Sequence, residues 1–178
     1  MQLVRIGDKV ISRDRIFQVV SRLLELRERG LSQQEVAEKM NIDRTLISRL
    51  ETIGEVRKGK KIALVGFPVK NRQELADIAV AEGLDFILLM SETERLNFAR
   101  QMNGIDLINQ LMALIAQARE CDAVIFIGSD HRLKMVESLV GPNVIGIEIG
   151  SSPLHEDKYV DPDHIRDLIR TLKGEADS

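Results

Sequence analysis

The 178-residue sequence has a single cysteine and no long apolar run, so it lacks the features of disulfide-rich and membrane-spanning proteins. Cys121 is its only cysteine, so the chain cannot form an internal disulfide or a cysteine-based metal site. A reducing cytoplasm is therefore the expected environment. No apolar run approaches the roughly 18 residues of a membrane span, and the N-terminal MQLVRIGDKVIS lacks the apolar core of a signal peptide. We expect no association with a membrane.

The motifs of common enzymes are also missing. The sequence contains no G-x-G-x-x-G and no GK[ST], and Ser129 lies in a segment that lacks the second glycine of G-x-S-x-G. A phosphorylation receiver needs acidic residues after its first strand, where this chain has Gly66-Phe67-Pro68. Asp130 and His131 are adjacent, so their side chains point in different directions. These absences favour a protein that is not an enzyme, with catalysis in the second half kept as an alternative.

The three histidines, His131, His155 and His164, follow no metal-ligand spacing. A surface or helix-capping role is the preferred interpretation of each. The sequence therefore predicts no metal site and no cofactor.

Charge divides the chain into two unlike parts. Residues 1–61 hold 14 Lys and Arg against 9 Asp and Glu, a net charge of +5, whereas residues 62–178 hold 11 against 19, a net of −8. A basic N-terminal part favours attraction to phosphates, and an acidic C-terminal part would be repelled by them.

The segment 32–51, SQQEVAEKMNIDRTLISRLE, predicts two short helices joined by a tight turn. Ser32 and Glu35 have the spacing of a capping box, and Asp43 can cap the second helix. Asn41 stands at the reversal, where a positive φ is common. The residues expected to face inward are Val36, Ala37, Met40, Ile42, Leu46, Ile47 and Leu50.

The second helix leaves Arg44, Thr45, Ser48 and Arg49 facing outward. Arginine bonds bidentately to guanine or to a phosphate, and Ser and Thr hydroxyls bond to either target. This face predicts contact with double-stranded DNA.

With the preceding Gly30-Leu31, the segment resembles the helix-turn-helix of the phage Cro and lambda repressor family, often called the Xre family. The matching positions are Gln33, Ala37, Asn41, Ile47 and Leu50. Asn41 departs mildly from the glycine usual in the family. The resemblance implies a prokaryotic, sequence-specific transcriptional regulator, in which Gln33 anchors a phosphate. The alternatives are a helical hairpin without a DNA role and an adaptor that binds another protein.

Flanking segments complete an N-terminal domain of residues 1–54. Residues 3–11 predict a small β-hairpin, and residues 13–29 predict a scaffold helix. Longer members of the family continue with two more helices, and the resemblance ends near residue 52. The apolar stripe of the scaffold helix is expected to comprise Ile16, Val19, Val20, Leu23, Leu24 and Leu26.

Residues 55–61 form a basic segment that is either a solvated linker or a wing beside the second helix. The wing is favoured because cations next to a DNA-reading helix add affinity by counterion release. Its cations are Arg57, Lys58, Lys60 and Lys61.

Residues 62–178 alternate four apolar strand segments with helices, which predicts a three-layer α/β domain with a mainly parallel four-stranded sheet, Rossmann-like or flavodoxin-like. The order of the strands does not follow from the sequence. Small and polar residues gather at the expected carboxyl ends of the strands, where such folds bind ligands. The alternative is ordinary turn chemistry. The candidate ligand-binding residues are Gly66, Ser91, Gly128, Ser129, Asp130, Gly150, Ser151 and Ser152.

A helix that begins after Ser91 is expected to break near Asn103-Gly104 and to continue to about Glu120. Beyond the break, residues 105–118 carry apolar side chains on more than one helical face. One face can pack on the sheet, and the excess either widens that contact or meets the same helix of a second chain. A dimer suits a DNA-binding protein that must reach two half-sites. The leading interpretation is a dimeric transcriptional regulator with a C-terminal domain for oligomerisation and for sensing a small anionic effector. The alternative is an α/β enzyme acting on a phosphorylated metabolite.

Overall fold

The computed structural model describes residues 2–55 and 61–174. The chain divides into two compact units, Met1–Glu55 and Val56–Ser178. In the part of the chain that the structure describes, no helix has both the length and the apolarity to cross a bilayer.

The N-terminal unit is a β-hairpin followed by three helices, as the sequence predicts. The hairpin turns at Gly7, whose φ of 58° suits glycine. Ser12 ends the hairpin and caps the next helix, because its Oγ accepts a hydrogen bond from Arg15 N at 3.3 Å. The elements are β1 (Leu3–Ile6), β2 (Lys9–Ser12), α1 (Arg13–Glu28), α2 (Gln33–Met40) and α3 (Arg44–Gly54).

The core of this unit lies under the C-terminal half of α1, where α2 and α3 pack against it. Leu23, Val36 and Ile47 are fully buried there, and Leu26 and Ala37 nearly so. Packing of these side chains across three helices holds α3 in place.

The predicted inward faces of α1 and α3 are only partly covered, which corrects the sequence interpretation. Ile16 is 52% exposed, and Val19, Leu24 and Leu46 are each 46% exposed. Ile16 and Val19 are open because α2 and α3 cover only the C-terminal half of α1. Leu24 lies in that half but off the buried face formed by Leu23 and Leu26. An apolar groove of about 320 Å³ remains open, lined by Arg15, Ile16, Val19, Val20, Leu23, Ile42, Leu46 and Leu50.

The C-terminal unit is an α/β fold whose four described strands are all parallel. Their order is β4-β3-β5-β6, which matches the first four strands of the flavodoxin-like order. The elements are β3 (Ile62–Gly66), α4 (Arg72–Ala81), β4 (Phe86–Leu89), α5 (Glu92–Gln101), α6 (Gly104–Arg119), β5 (Ala123–Gly128), α7 (Asp130–Val140), β6 (Val144–Glu148) and α8 (Pro162–Lys173).

Alternate residues of the central strands face two helical layers, as the pleat requires. Ile62 and Leu64 of β3 pack with Leu75 of α4 and Ile165 of α8. Ala63 faces the opposite side, in the cluster that contains Ala118 of α6. Strand β5 is buried along its whole length, so the sheet is covered on both faces.

Helix caps set the remaining boundaries. Asn103 separates α5 from α6, and its Oδ1 accepts hydrogen bonds from Ile105 N and Asp106 N, both at 3.0 Å. The predicted break between these helices is therefore confirmed. Because the four strands are parallel, the segments after β3, β4, β5 and β6 meet at one edge of the sheet.

Candidate functional site

A capping box and one left-handed residue define the two ends of α2. Ser32 Oγ accepts from Glu35 N at 3.2 Å, and Ser32 N donates to Glu35 Oε2 at 2.7 Å. Asn41 ends α2 in the left-handed region, with φ and ψ both 51°. The Asn departure from glycine thus keeps the same backbone conformation. The capping box fixes the start of α2, and the left-handed turn at Asn41 sets the angle at which α3 leaves α2.

Helix α3 presents the predicted polar face to solvent. Asp43 caps it, since its Oδ1 accepts from Thr45 N at 2.6 Å. At about 100° per residue, the outward side chains span roughly 140° of the helix surface. The buried Ile47 lies on the other side and anchors the helix. The exposed residues of this face are Arg44, Thr45, Ser48 and Arg49.

A chain of hydrogen bonds connects the scaffold helix to the start of α3. Arg27 Nε donates to Glu51 Oε1 at 2.5 Å, and Gln33 Nε2 donates to Glu51 Oε2 at 2.7 Å. Arg44 Nε in turn donates to Gln33 Oε1 at 3.5 Å. Arg27 also donates to the carbonyl of Leu31. Glu51 therefore fixes the orientation of the Gln33 amide, and the oxygen of that amide contacts the guanidinium of Arg44.

Four of the predicted DNA-contacting residues lie together. Gln33, Arg44, Thr45 and Ser48 line a shallow cleft of about 220 Å³. Arg49 lies on the same helix and is exposed. The Gln33 amide has two N–H donors and uses one of them for Glu51, so the other can donate to a phosphate.

Sequence reasoning missed Arg27, Glu51 and Thr52. The available signal was an acid, Glu51, next to the inward-facing Leu50 in an otherwise basic segment. Thr52 follows Ser48 by one helical turn and donates its hydroxyl to the Ser48 carbonyl at 2.9 Å. It extends the polar face of α3 by one residue.

The basic segment is only partly within the described residues. Arg57, Lys58 and Lys60 lie outside them, so the wing stays a prediction. Lys61 lies in the C-terminal unit just before β3, where its N donates to Asp122 Oδ2 at 3.0 Å and its Nζ lies 3.4 Å from Glu120 Oε2.

The N-terminal unit should be sensitive to acid. Hydrogen bonds from Arg27 and Gln33 lower the pKa of Glu51, and hydrogen bonds from Thr45 lower that of Asp43. A carboxyl whose folded pKa is depressed stabilises the fold above its unfolded pKa, and this contribution disappears as pH falls through the folded value. We expect the melting temperature to fall progressively below about pH 4.5, as measured by circular dichroism between pH 7 and pH 3.

A substitution isolates the contribution of Glu51. Glu51→Gln should cost about 1 kcal/mol at pH 7 and should flatten the acid dependence. Glu38→Gln is the matched control, because Glu38 is exposed and lies outside this network. Equal acid dependence in the two variants would contradict this role of Glu51.

The candidate ligand-binding residues of the C-terminal unit lie at the common edge of the sheet, and two glycines there are tightly packed. A Cβ on Gly66 would lie 2.9 Å from Ile127 Cβ, and one on Gly128 would lie 2.6 Å from Phe126 Cε1. Packing alone therefore requires glycine at both positions.

Several of the other candidate ligand-binding residues are joined by hydrogen bonds. Ser91 caps α5 through Glu94. Ser129 is fully buried, and its Oγ lies 2.6 Å from Ser152 Oγ. Asp130 Oδ1 accepts from the backbone N of Ser152 and of His131, and these hydrogen bonds lower the pKa of Asp130.

These bonds tie the segment after β5 to the segment after β6. Gly150, at φ 139°, accepts from Asp130 N, and Ser151 is exposed. Across residues 2–55 and 61–174, no three His, Cys, Asp or Glu side chains are grouped to hold a metal ion.

Comparison with known proteins identifies one part of the chain. Residues 23–52 match the family model described as Helix-turn-helix, a span that begins within α1 and ends within α3. The searches of curated proteins and of solved structures returned no match. The capping box, the left-handed turn and the buried Ile47 are the structural basis of the matched segment. The N-terminal unit of this chain thus carries a helix-turn-helix of the Xre, lambda-repressor-like type.

Proposed function

We propose that this protein is a sequence-specific transcriptional regulator that binds double-stranded DNA through α3. The observation that carries the proposal is the exposed, acid-free face of a capped helix within the matched segment. Hydrogen-bond donors and small hydroxyls on such a face can reach base edges in a major groove. The proposal places the protein in a prokaryotic cytoplasm.

Each polar residue has a role in this proposal. Arg44 and Arg49 read bases or adjacent phosphates, and Thr45 and Ser48 make the smaller contacts. Gln33 binds a phosphate with the N–H left over from Glu51, because the N-terminus of α2 also favours an anion. If the basic segment after α3 reaches the duplex, its cations add affinity without sequence information.

A homodimer is the second part of the proposal, and α6 supplies the surface. Leu107 and Leu114 are half-buried and Ala118 is buried, so one stripe of α6 faces the fold. A separate stripe of Ile105, Ile108 and Met112 is 74%, 62% and 62% exposed. These residues recur at i, i+3 and i+7, the spacing of a helix that packs on another helix. A second copy of α6 would cover them and would bring two DNA-binding units to two half-sites.

Sensing of a small anionic effector, rather than catalysis, is the third part. Full burial of Ser129 and its bond to Ser152 argue against a serine nucleophile, which must be reachable by its substrate. The bonds of Asp130 to two backbone N–H groups serve loop structure instead of proton transfer. Regulation through this edge of the sheet fits these contacts better than an enzyme does.

In vitro selection of binding sites from random DNA tests the proposal. We expect enrichment of a palindrome whose half-sites are centred about one helical turn, 10 base pairs, or a multiple of it apart. Affinity for the selected site should fall steeply as salt rises. Absence of any enriched sequence would contradict DNA reading, and a single enriched half-site would contradict the dimer alone.

A further inference from the structure

Arg132, in the first turn of α7, has a buried donor that meets no acceptor. Its Nη1 atom has no hydrogen-bond partner among residues 2–55 and 61–174. The guanidinium lies over the ring of Phe67, with its Cζ 5.3 Å from the ring centroid. That ring packs edge-on against Phe126, with centroids 5.6 Å apart. An unsatisfied donor on a charged group is costly, so its presence in a folded protein points to a use beyond packing.

A second guanidinium adds positive charge at this place. Burial lowers the pKa of Arg132, and the charge of Arg95 on α5 lowers it further. The negative charge of Glu92 attracts both guanidiniums. However, both of its carboxylate oxygens already accept hydrogen bonds from Arg95, at 2.6 and 2.9 Å. Asp157 Oδ1 is likewise engaged by Glu92 N at 2.7 Å. Two guanidiniums therefore share one carboxylate, which Arg95 already holds in a bidentate pair.

The position of this cluster in the sheet is that of a ligand site. Phe67 follows β3 and Arg132 follows β5, and these two strands are neighbours. From β3 the chain continues to β4 on one side, whereas β5 lies on the other side. Such a topological switch point is where open α/β sheets generally bind their ligands. The half-buried Arg132 and Arg95 approach it from two different helices.

We propose that Arg132 and Arg95 bind the phosphate group of a small phosphorylated metabolite at the switch point between β3 and β5. The planar guanidinium of Arg132 turns from the Phe67 ring to bond two phosphate oxygens, which satisfies its unpartnered N–H. With Glu92 included, the two guanidiniums keep one unbalanced positive charge, which attracts an anion. A phosphate group has enough oxygens to bond Arg132 bidentately and also to reach Arg95, whereas a monocarboxylate has only two. This inference deepens the effector part of the proposed function and does not depend on DNA binding.

Thermal unfolding of the full chain tests the assignment. Inorganic phosphate, glycerol phosphate and acetate are compared at equal ionic strength in a phosphate-free buffer. At about 100 times its dissociation constant, a phosphate ligand should raise the melting temperature by about 5 °C or more. Acetate should produce no such rise. In NMR spectra, phosphate should shift the backbone amides of Phe67 and Arg132.

Variants separate this site from general attraction to a basic surface. Arg132→Gln should abolish the response, and Arg132→Lys should lose most of it, because an ammonium lacks the bidentate fork. Lys134→Gln removes an exposed cation from the same helix and should respond as the parent protein does. Arg44→Ala with Arg49→Ala should also keep the full response, which distinguishes this site from DNA-binding residues.

The outcomes decide between the assignments. Equal responses to both phosphate compounds assign the site to the phosphate group alone, and a stronger response to glycerol phosphate shows that the organic part is bound as well. No response in the parent protein, an equal response to acetate, or a full response in Arg132→Gln would overturn the proposal.

Discussion

Replacing Arg44 and Arg49 together with alanine should weaken binding to the selected DNA site by about 100-fold or more, since each bidentate base contact contributes about 1–3 kcal/mol of discrimination. Both side chains are exposed on α3. The contact of Arg44 Nε with Gln33 Oε1 is long, at 3.5 Å. The fold should therefore remain intact, with a change in stability within about 0.5 kcal/mol. Fluorescence anisotropy with a labelled duplex measures the affinity.

A charge-matched control separates base reading from electrostatic attraction. Arg5→Ala with Arg22→Ala removes two cations from the same unit, at positions on β1 and α1. This control should retain the preference for the selected site over a scrambled duplex, whereas the α3 variant should bind both duplexes alike. If both variants kept the preference, α3 would not be the reading helix.

Ile108→Glu with Met112→Glu should convert the proposed dimer to a monomer. Each buried side chain of this size stabilises an interface by about 1.5–3 kcal/mol, and two copies lose four of them. The introduced carboxylates would also face one another, which adds repulsion. We expect a dissociation constant raised by at least about 10⁴-fold, measured by light scattering after size-exclusion chromatography.

The matched control for that variant lies on the opposite side of the same helix. Gln110→Glu with Gln117→Glu adds the same charge at two exposed polar positions and should leave the dimer unchanged. Loss of the dimer should also reduce affinity for a palindrome without reducing affinity for a single half-site. A dimeric Ile108→Glu, Met112→Glu variant would assign dimerisation to another surface.

Local patterns allowed the helix-turn-helix to be predicted from the sequence. The caps and the turn depend only on hydrogen bonds and backbone conformations within four residues along the chain. The structure places Ser32 with Glu35, Asn41 and Asp43 in the predicted caps and turn. The four parallel strands were predictable for a similar reason, because strands buried on both faces are continuously apolar. The break before α6 required only Asn103 and the glycine that follows it.

Features that depend on distant parts of the chain were not predictable. The order of the strands depends on how β3 and β5 pair, and no local pattern encodes that choice. Glu51 joins Arg27 and Gln33, which lie 24 and 18 residues away along the chain. Leu46 follows the inward spacing of α3, yet it remains 46% exposed because no described element covers it. Arg132 and Phe67 meet only because the sheet brings their segments together.

The pairing of β3 with β5 has a consequence for synthesis of the chain. Ile62 pairs with Ala123, about 60 residues later, so the central ladder cannot close until most of the C-terminal unit has left the ribosome. Contacts of such long sequence separation form slowly, whereas short helices with local contacts fold quickly. The N-terminal unit contains a tight hairpin and helices whose contacts span shorter stretches of chain, and it emerges first. During translation, a folded DNA-binding unit would therefore exist before the C-terminal unit can fold.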